Sequence, residues 1–303
     1  MNLDFIAGLI DSDGSLLLSL ERSKLSKTGY RRKLILDITN KDKTILLLIK
    51  ETLGFGMVVS VSDTLYAFRT NTYKDAEKII SLFENRVYGS AKVEMPLWKN
   101  ALLLVKTKEI NSLQSFTCFV HLMYGINEKG RLRKYSIDYW LKVFKGQYLP
   151  DYVEKIKDQY KNIPLRNITG AYISGYCQGD GSFNLSNKKR FIANFTLTDA
   201  YKPILVLIQN FLIPKNNCIF EIDPKTSENN KMCYRFQITR FNLCRVYIIS
   251  HFDKFPVYGI QLKRYTLWRQ AVLLQEKKSM YSLSEYKNQI SEICTKLKNL
   301  KET

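Results

Sequence analysis

The sequence predicts an α+β protein made of two pseudo-twofold-related αββαββα halves. Three observations predict it. The nonapeptide Ile6–Gly14, IAGLIDSDG, returns as ISGYCQGDG at Ile173–Gly181. The stretch ITNKDKTILLLIKETL (38–53) returns as LTDAYKPILVLIQNFL (197–212), and LWKNA (97–101) returns as LWRQA (267–271). The echoes keep their order, as duplication of a whole folding unit requires. A chain of 303 residues is long enough for two ordinary cores.

The first half reads as follows. Residues 4–13 form a helix with apolar Phe5, Ile6, Leu9 and Ile10 around small Ala7 and Gly8. Leu16–Arg22 is a strand, and a polar basic connection leads into a second strand, Lys33–Thr39. Lys41–Leu53 is a helix that stops at Gly54. Strands Met57–Val61 and Leu65–Thr70 are joined by the turn Ser62-Asp63-Thr64, and helices follow at 72–85 and, after Pro96, at 97–108. The second half repeats the order: helix 170–180, strands 182–187 and 191–198, helix 202–212, strands near 217–223 and 232–239, helix 241–251, then a helical region over 261–300. The predicted divisions are a first half over 1–108, a connecting segment over 109–165 and a second half over 166–303. The connection carries three helical patterns, Leu113–Tyr124, Ile137–Phe144 and Tyr152–Tyr160, and a basic loop, Lys129–Lys134.

Composition narrows the function. A net charge of +19 and a pI near 9.5 favour a polyanionic partner, nucleic acid before a membrane surface. No window offers the roughly 18 uninterrupted apolar residues of a membrane span. The cysteines (Cys118, Cys177, Cys218, Cys233, Cys244, Cys294) form no CxxC pair and read as buried thiols of a reducing compartment, not as a zinc site or disulfide frame. Two distant histidines, His121 and His251, argue against histidine-based nuclease chemistry. The first motif begins at residue 6, so no secretory or transit peptide is expected. Abundant Lys, Ile, Asn, Tyr and Phe fit an AT-rich coding sequence, hence a mitochondrion or chloroplast.

Each motif spaces small residues four apart, Gly8 with Ser12 and Gly175 with Gly179, which on a helix makes a groove for close backbone approach. Two such helices packed together would bring their terminal acids, Asp13 and Asp180, close to each other. An aspartate at a helix C-terminus opposes the macrodipole by about 0.3–1 kcal/mol, and two side by side repel further. A divalent cation compensates both, and oxygen-only donors favour Mg²⁺ over zinc. In a basic protein this pairing suggests two-metal hydrolysis of a phosphodiester. The plainer reading assigns most of the motif to packing, including Phe5, Ile6, Leu9, Ile10, Tyr176 and Cys177. Asp11, replaced by Gln178 in the second copy, reads as a local cap or backbone partner.

IAGLIDSDG resembles the signature of the LAGLIDADG homing endonucleases, and ISGYCQGDG resembles its second copy in the single-chain, two-motif members. The likeness extends over nearly the whole chain through the αββαββα order. It implies a DNA-binding saddle of two antiparallel sheets, with the motif helices at the interface between halves. It implies that Asp13 and Asp180 ligate the metal, helped by the carbonyls of Ser12 and Gly179. It further implies that Asn40 and Asp199 order the attacking water and that Lys263 supports the transition state. The position mirroring Lys263 is Val93, beside Lys92. The implied cofactor is Mg²⁺, with Mn²⁺ or Ca²⁺ able to replace it for binding.

Strand alternation then selects a DNA-reading face. In the first half it carries Ser19, Glu21 and Ser23, then Arg31, Lys33 and Asp37, with Arg69 on the later hairpin. In the second it carries Asn184, Ser186, Lys188 and Arg190, then Asn194 and Thr196, with Arg235, Gln237 and Thr239. Arg, Asn and Gln on such a face suit base edges. Lys24, Lys27, Arg32, Lys189 and Lys225 suit phosphates. The expected partner is therefore a long asymmetric DNA duplex, bound by a monomer. Intron RNA, as for a maturase, and a catalytically inactive DNA-binding module are the alternative readings.

Overall fold

The computed structural model describes residues 1–107, 112–126, 133–160, 167–186, 191–214, 218–222 and 233–302. Lys188, Lys189, Arg190, Lys225 and residues 129–132 of the connecting loop lie outside them. The chain is α+β, with two antiparallel four-stranded sheets that share one topology. Contacts divide it into two compact units: Met1 with Asp13–Arg166, and Asn2–Ser12 with Asn167–Thr303. The first motif helix thus packs as part of the second unit, and the division falls between Ser12 and Asp13.

In the first unit, β1 (Gly14–Arg22) pairs with β2 (Tyr30–Asn40), β2 with β4 (Leu65–Thr70) and β4 with β3 (Met57–Ser62). Leu16 and Leu18 of β1, Leu34, Leu36 and Ile38 of β2 and Phe68 of β4 form the buried face. Helix α2 (Lys43–Leu53) covers it with Ile45, Leu46 and Ile49. Asp42 caps α2 by accepting from the Thr44 amide, and Gly54 ends it in the left-handed region at φ 72°, donating to the Lys50 carbonyl. Helix α3 (Tyr73–Phe83) starts at Thr72, whose hydroxyl accepts from the Asp75 amide. Helix α4 (Ser90–Lys106) differs from expectation, because it begins before Pro96 and runs through it. Burial of Ala91, Met95, Pro96, Leu97 and Trp98 around this part of the helix outweighs the one lost backbone bond. Helices α5 (Leu113–Gly125), α6 (Ile137–Val143) and α7 (Tyr152–Tyr160) pack in the same unit.

In the second unit, α1 (Leu3–Asp13) and α8 (Gly170–Asp180) lie together. Strand β5 (Gly181–Ser186) pairs with β6 (Ile192–Asp199), β6 with β8 (Cys233–Ile238) and β8 with β7 (Ile219–Ile222). Helix α9 (Lys202–Leu212) buries Ile204, Leu205, Ile208 and Leu212. The expected helix over 241–251 is α10 (Phe241–Leu243), a π-turn (Cys244–Ile249) and α11 (Ser250–Lys254). The expected terminal region is two helices, α12 (Gly259–Glu276) and α13 (Leu283–Glu302). Ser282 and Glu285 start the second with a capping box: each backbone amide donates to the other's side chain, at 3.0 and 3.2 Å. Ala271 and Leu274 of α12 then close a core with Tyr286, Ile290 and Ile293 of α13.

Candidate active site and polar sheet faces

The two motif helices meet through their glycines. A Cβ on Gly8 would lie 2.0 Å from the Tyr172 carbonyl oxygen, and one on Gly175 would lie 1.8 Å from that of Phe5. The contact is reciprocal: each glycine faces the residue three places before the other glycine, as a twofold pairing requires. Matching caps start both helices. The Phe5 amide donates to Asn2 Oδ1 at 2.9 Å, and the Tyr172 amide donates to Thr169 Oγ1 at 3.2 Å. Ser12 turns inward on its own helix, its hydroxyl donating to the carbonyls of Gly8 and Leu9.

Polar side chains distinguish the two copies. Asp11 is buried and accepts a 2.6 Å hydrogen bond from the Tyr172 hydroxyl. This corrects the expectation of a local cap: the partner stands on the other motif helix. The residue of α1 that mirrors Tyr172 is Phe5, which has no hydroxyl to offer. Gln178 turns instead to Tyr258, accepting from its amide at 2.8 Å and donating to its carbonyl at 3.3 Å. Two residues missed in the sequence brace α8. Tyr176, assigned to packing alone, donates its hydroxyl to Asp199. Gln261 of α12 donates to the carbonyls of Cys177 and Gly181, at 3.1 and 2.6 Å. Its mirror in the first half is Ala91, and that mismatch within the repeat was the available signal.

The terminal acids stand where the motif predicts, Asp13 ahead of β1 and Asp180 ahead of β5. Neither helix has a basic residue in its last turn to offset its acid. Burial raises the Asp13 pKa to about 6, against a smaller lowering by Asn40, whose amide donates to Asp13 Oδ2 at 3.4 Å. Asn40 and Asp199 take matching turns: Asn40 Oδ1 accepts from the Asp42 amide at 2.9 Å, and Asp199 Oδ1 from the Tyr201 amide at 2.7 Å. Lys263 is exposed on α12, two residues after Gln261, whose bonds tie this first turn of α12 to the end of α8. Among the described residues, no cluster of three His, Cys, Asp or Glu side chains could hold a metal unaided. The donor set, single carboxylates beside backbone carbonyls, suits Mg²⁺, which keeps few protein ligands and draws on substrate phosphates.

Register places the predicted polar residues on one face of each sheet. Ser19 opposes Lys33, Glu21 opposes Arg31, and Asp37 opposes Arg69. Asn184 opposes Asn194, Thr196 opposes Gln237, and Ser186 and Arg235 keep the same parity. Thr239 follows β8 with that parity too. Glu21 bridges Arg31 and Lys33 at 2.6 and 2.9 Å, and Asp37 holds Arg69 at 2.6 Å. Asp37 Oδ1, Arg69 Nε and Asn194 Oδ1 are buried atoms without a hydrogen-bond partner. Lys24 and Lys27 are exposed in the β1–β2 turn. Arg32 is a correction. It has the opposite parity and is buried, its guanidinium donating to Ser115 at 2.6 Å and lying 4.5 Å from the Phe116 ring centroid. Burial lowers its pKa to about 10, and no phosphate can reach it there.

A family model of the LAGLIDADG endonucleases matches residues 6–102 and 173–272. A probable intron-encoded endonuclease 2 of Neurospora crassa is 22% identical over 92% of this chain and 61% of its own length. An uncharacterized 50.9 kDa protein in ND4 intron 1 of Podospora anserina is 30% identical over 35% of this chain and 24% of its own. The chain thus spans less than two thirds of either relative. The crystal structure of the LAGLIDADG meganuclease I-CpaMI bound to uncleaved DNA has the same fold, with a TM-score of 0.78 at 23% identity, over 97% of this chain and 98% of that one. Among the described residues, no helix is long and apolar enough to cross a membrane. Matched at both copies of its repeat, over more than half its length, this chain belongs to the LAGLIDADG endonuclease family.

Proposed function

We propose that this protein is a site-specific, intron-encoded homing endonuclease that cuts both strands of a long asymmetric DNA target as a monomer. The observation that carries the reading is the duplicated motif helix: each copy ends in an aspartate at the head of a sheet with one polar face. Family membership and the intron-encoded relative support it. Abundant Lys, Ile, Asn, Tyr and Phe, the residues of AT-rich codons, support synthesis in a mitochondrion or chloroplast.

Asp13 and Asp180, with the carbonyls of Ser12 and Gly179, are the groups that would hold divalent cations. Bound there, Mg²⁺ supplies positive charge to the phosphate oxygens and acidifies water. The chain's own residues do the rest. Asn40 and Asp199 orient the attacking water, and Lys263 faces developing negative charge. The water oxygen bonds to phosphorus as the bond to the leaving sugar oxygen breaks. One proton passes to an acceptor, and the leaving oxygen takes one up.

The polar faces read the DNA: Ser19, Glu21, Arg31, Lys33, Asp37 and Arg69 in one sheet, Asn184, Ser186, Asn194, Thr196, Arg235, Gln237 and Thr239 in the other. The partly exposed side chains of Arg31, Arg69 and Arg235 suit base edges. Lys24 and Lys27 suit phosphates, so affinity falls steeply with salt.

The test incubates the protein with Mg²⁺ and duplex DNA spanning its insertion junction, beside Asp13→Asn and Asp180→Asn. Wild type should cut both strands. Either variant should be slowed by more than about 100-fold, the upper loss for removing even an outer partner of a metal. Cutting by either variant at the wild-type rate would sink the paired-carboxylate mechanism. An intact duplex together with tight binding of intron RNA would replace the nuclease reading with a maturase.

A further inference from the structure

The two halves hold their water-orienting residues differently. Asn40 leans on Asp13 through its amide, and its carbonyl oxygen is taken by the Asp42 amide. Asp199 is held from two sides, by the Tyr201 amide on Oδ1 and the Tyr176 hydroxyl on Oδ2. Tyr176 is fully buried one helical turn before Asp180, so its ring cannot swing to follow solvent. The mirror residue in α1 is Leu9, also fully buried. The packing slot therefore needs bulk and no hydroxyl, so the hydroxyl of Tyr176 has a purpose beyond packing.

We propose that Tyr176 is a positioning residue that fixes the Asp199 carboxylate for water orientation, giving the second half a differently constrained site and the two DNA strands different cutting rates. This rests on the nuclease reading above. A carboxylate offers only acceptors, with two lone pairs on each oxygen, so Asp199 still has lone pairs for a water after both contacts are made. A fixed acceptor costs less to orient at the moment of reaction than a mobile one. Asn40 presents a donor as well as an acceptor, and its second hold is a 3.4 Å bond to the Asp13 carboxylate in place of a buried tyrosine hydroxyl, which makes the sites chemically unequal. Tyr176 touches no reacting atom in this scheme and acts only through Asp199.

The test measures single-turnover cutting with each strand labelled separately, in Mg²⁺, for wild type, Tyr176→Phe, Asp199→Asn and the double variant. DNA affinity is measured in Ca²⁺, and thermal midpoints are recorded. Tyr176→Phe should slow one strand roughly 10-fold or more, leaving the other strand and the affinity unchanged. Asp199→Asn should slow the same strand, and the double variant should be no slower on it than Asp199→Asn alone. Equal slowing of both strands, losses that multiply in the double variant, or a Tyr176→Phe chain that cannot fold would each overturn the proposal. If wild type cuts neither strand, the nuclease reading itself fails and the proposal falls with it.

Discussion

Helices α1 and α8 carry the same motif, yet they solve the same packing problem with different chemistry. Where α1 has Phe5 and Leu9, α8 has Tyr172 and Tyr176, and both hydroxyls find carboxylates, Asp11 and Asp199. Where α1 has Asp11, α8 has Gln178, which pairs with the Tyr258 backbone. The glycine contact at their centre stays reciprocal. The comparison teaches that a duplicated unit keeps symmetry where backbones touch, because no side chain can compensate there. Where side chains meet, the halves are free to diverge in pairs.

The harshest way to break the comparison is to add a methyl group at the crossing. Gly8→Ala and Gly175→Ala each place a Cβ about 2 Å from a backbone oxygen, so each should lose about 3 kcal/mol or more in urea unfolding. Near-equal losses confirm the reciprocity. Gly54→Ala, in the left-handed region with open space around it, should lose only about 1 kcal/mol.

Asp13 offers the next largest effect. Burial raises its folded pKa to about 6, from 3.8. Its contribution to stability is therefore full below the ordinary carboxylate range and is lost as pH rises through about 6. In metal-free buffer, wild type should lose about 2 kcal/mol relative to Asp13→Asn between about pH 4 and 7, after allowance for partial exposure. Parallel pH profiles for the two proteins would show that Asp13 titrates normally.

Tyr172→Phe removes the hydroxyl that serves buried Asp11 and should cost about 1–3 kcal/mol. No such penalty attaches to α1, where phenylalanine is already native at the mirror position, Phe5. The smallest effect compares the two tryptophans of the LW echo. Trp98 donates its indole N–H to the Leu17 carbonyl at 3.2 Å, whereas that of Trp268 has no partner. Trp98→Phe should cost about 1 kcal/mol more than Trp268→Phe. Equal costs would show that the hydrogen bond contributes nothing net.

Much of this was legible without coordinates. Strand alternation put Asn184, Asn194, Thr196 and Gln237 on one face, because strand periodicity is local and strict. Among the described strand residues the same rule misplaced none. The charge of Arg32 suits a phosphate, but its parity puts it on the buried face of the strand. Helix α4 begins earlier than Pro96 suggests, because that local stop signal is overridden by tertiary burial.

By itself the sequence determined the duplication, the order of elements, the acids that close each motif helix and the polar face of each sheet. All of these are periodic or repeated along one chain. Only the tertiary structure decided that α1 packs within the second unit, that Asp11 is bonded by Tyr172, and that Tyr176 and Gln261 brace α8. The reason is physical. A hydrogen bond between distant groups depends on which elements pack together, and residue spacing along the chain does not encode that packing.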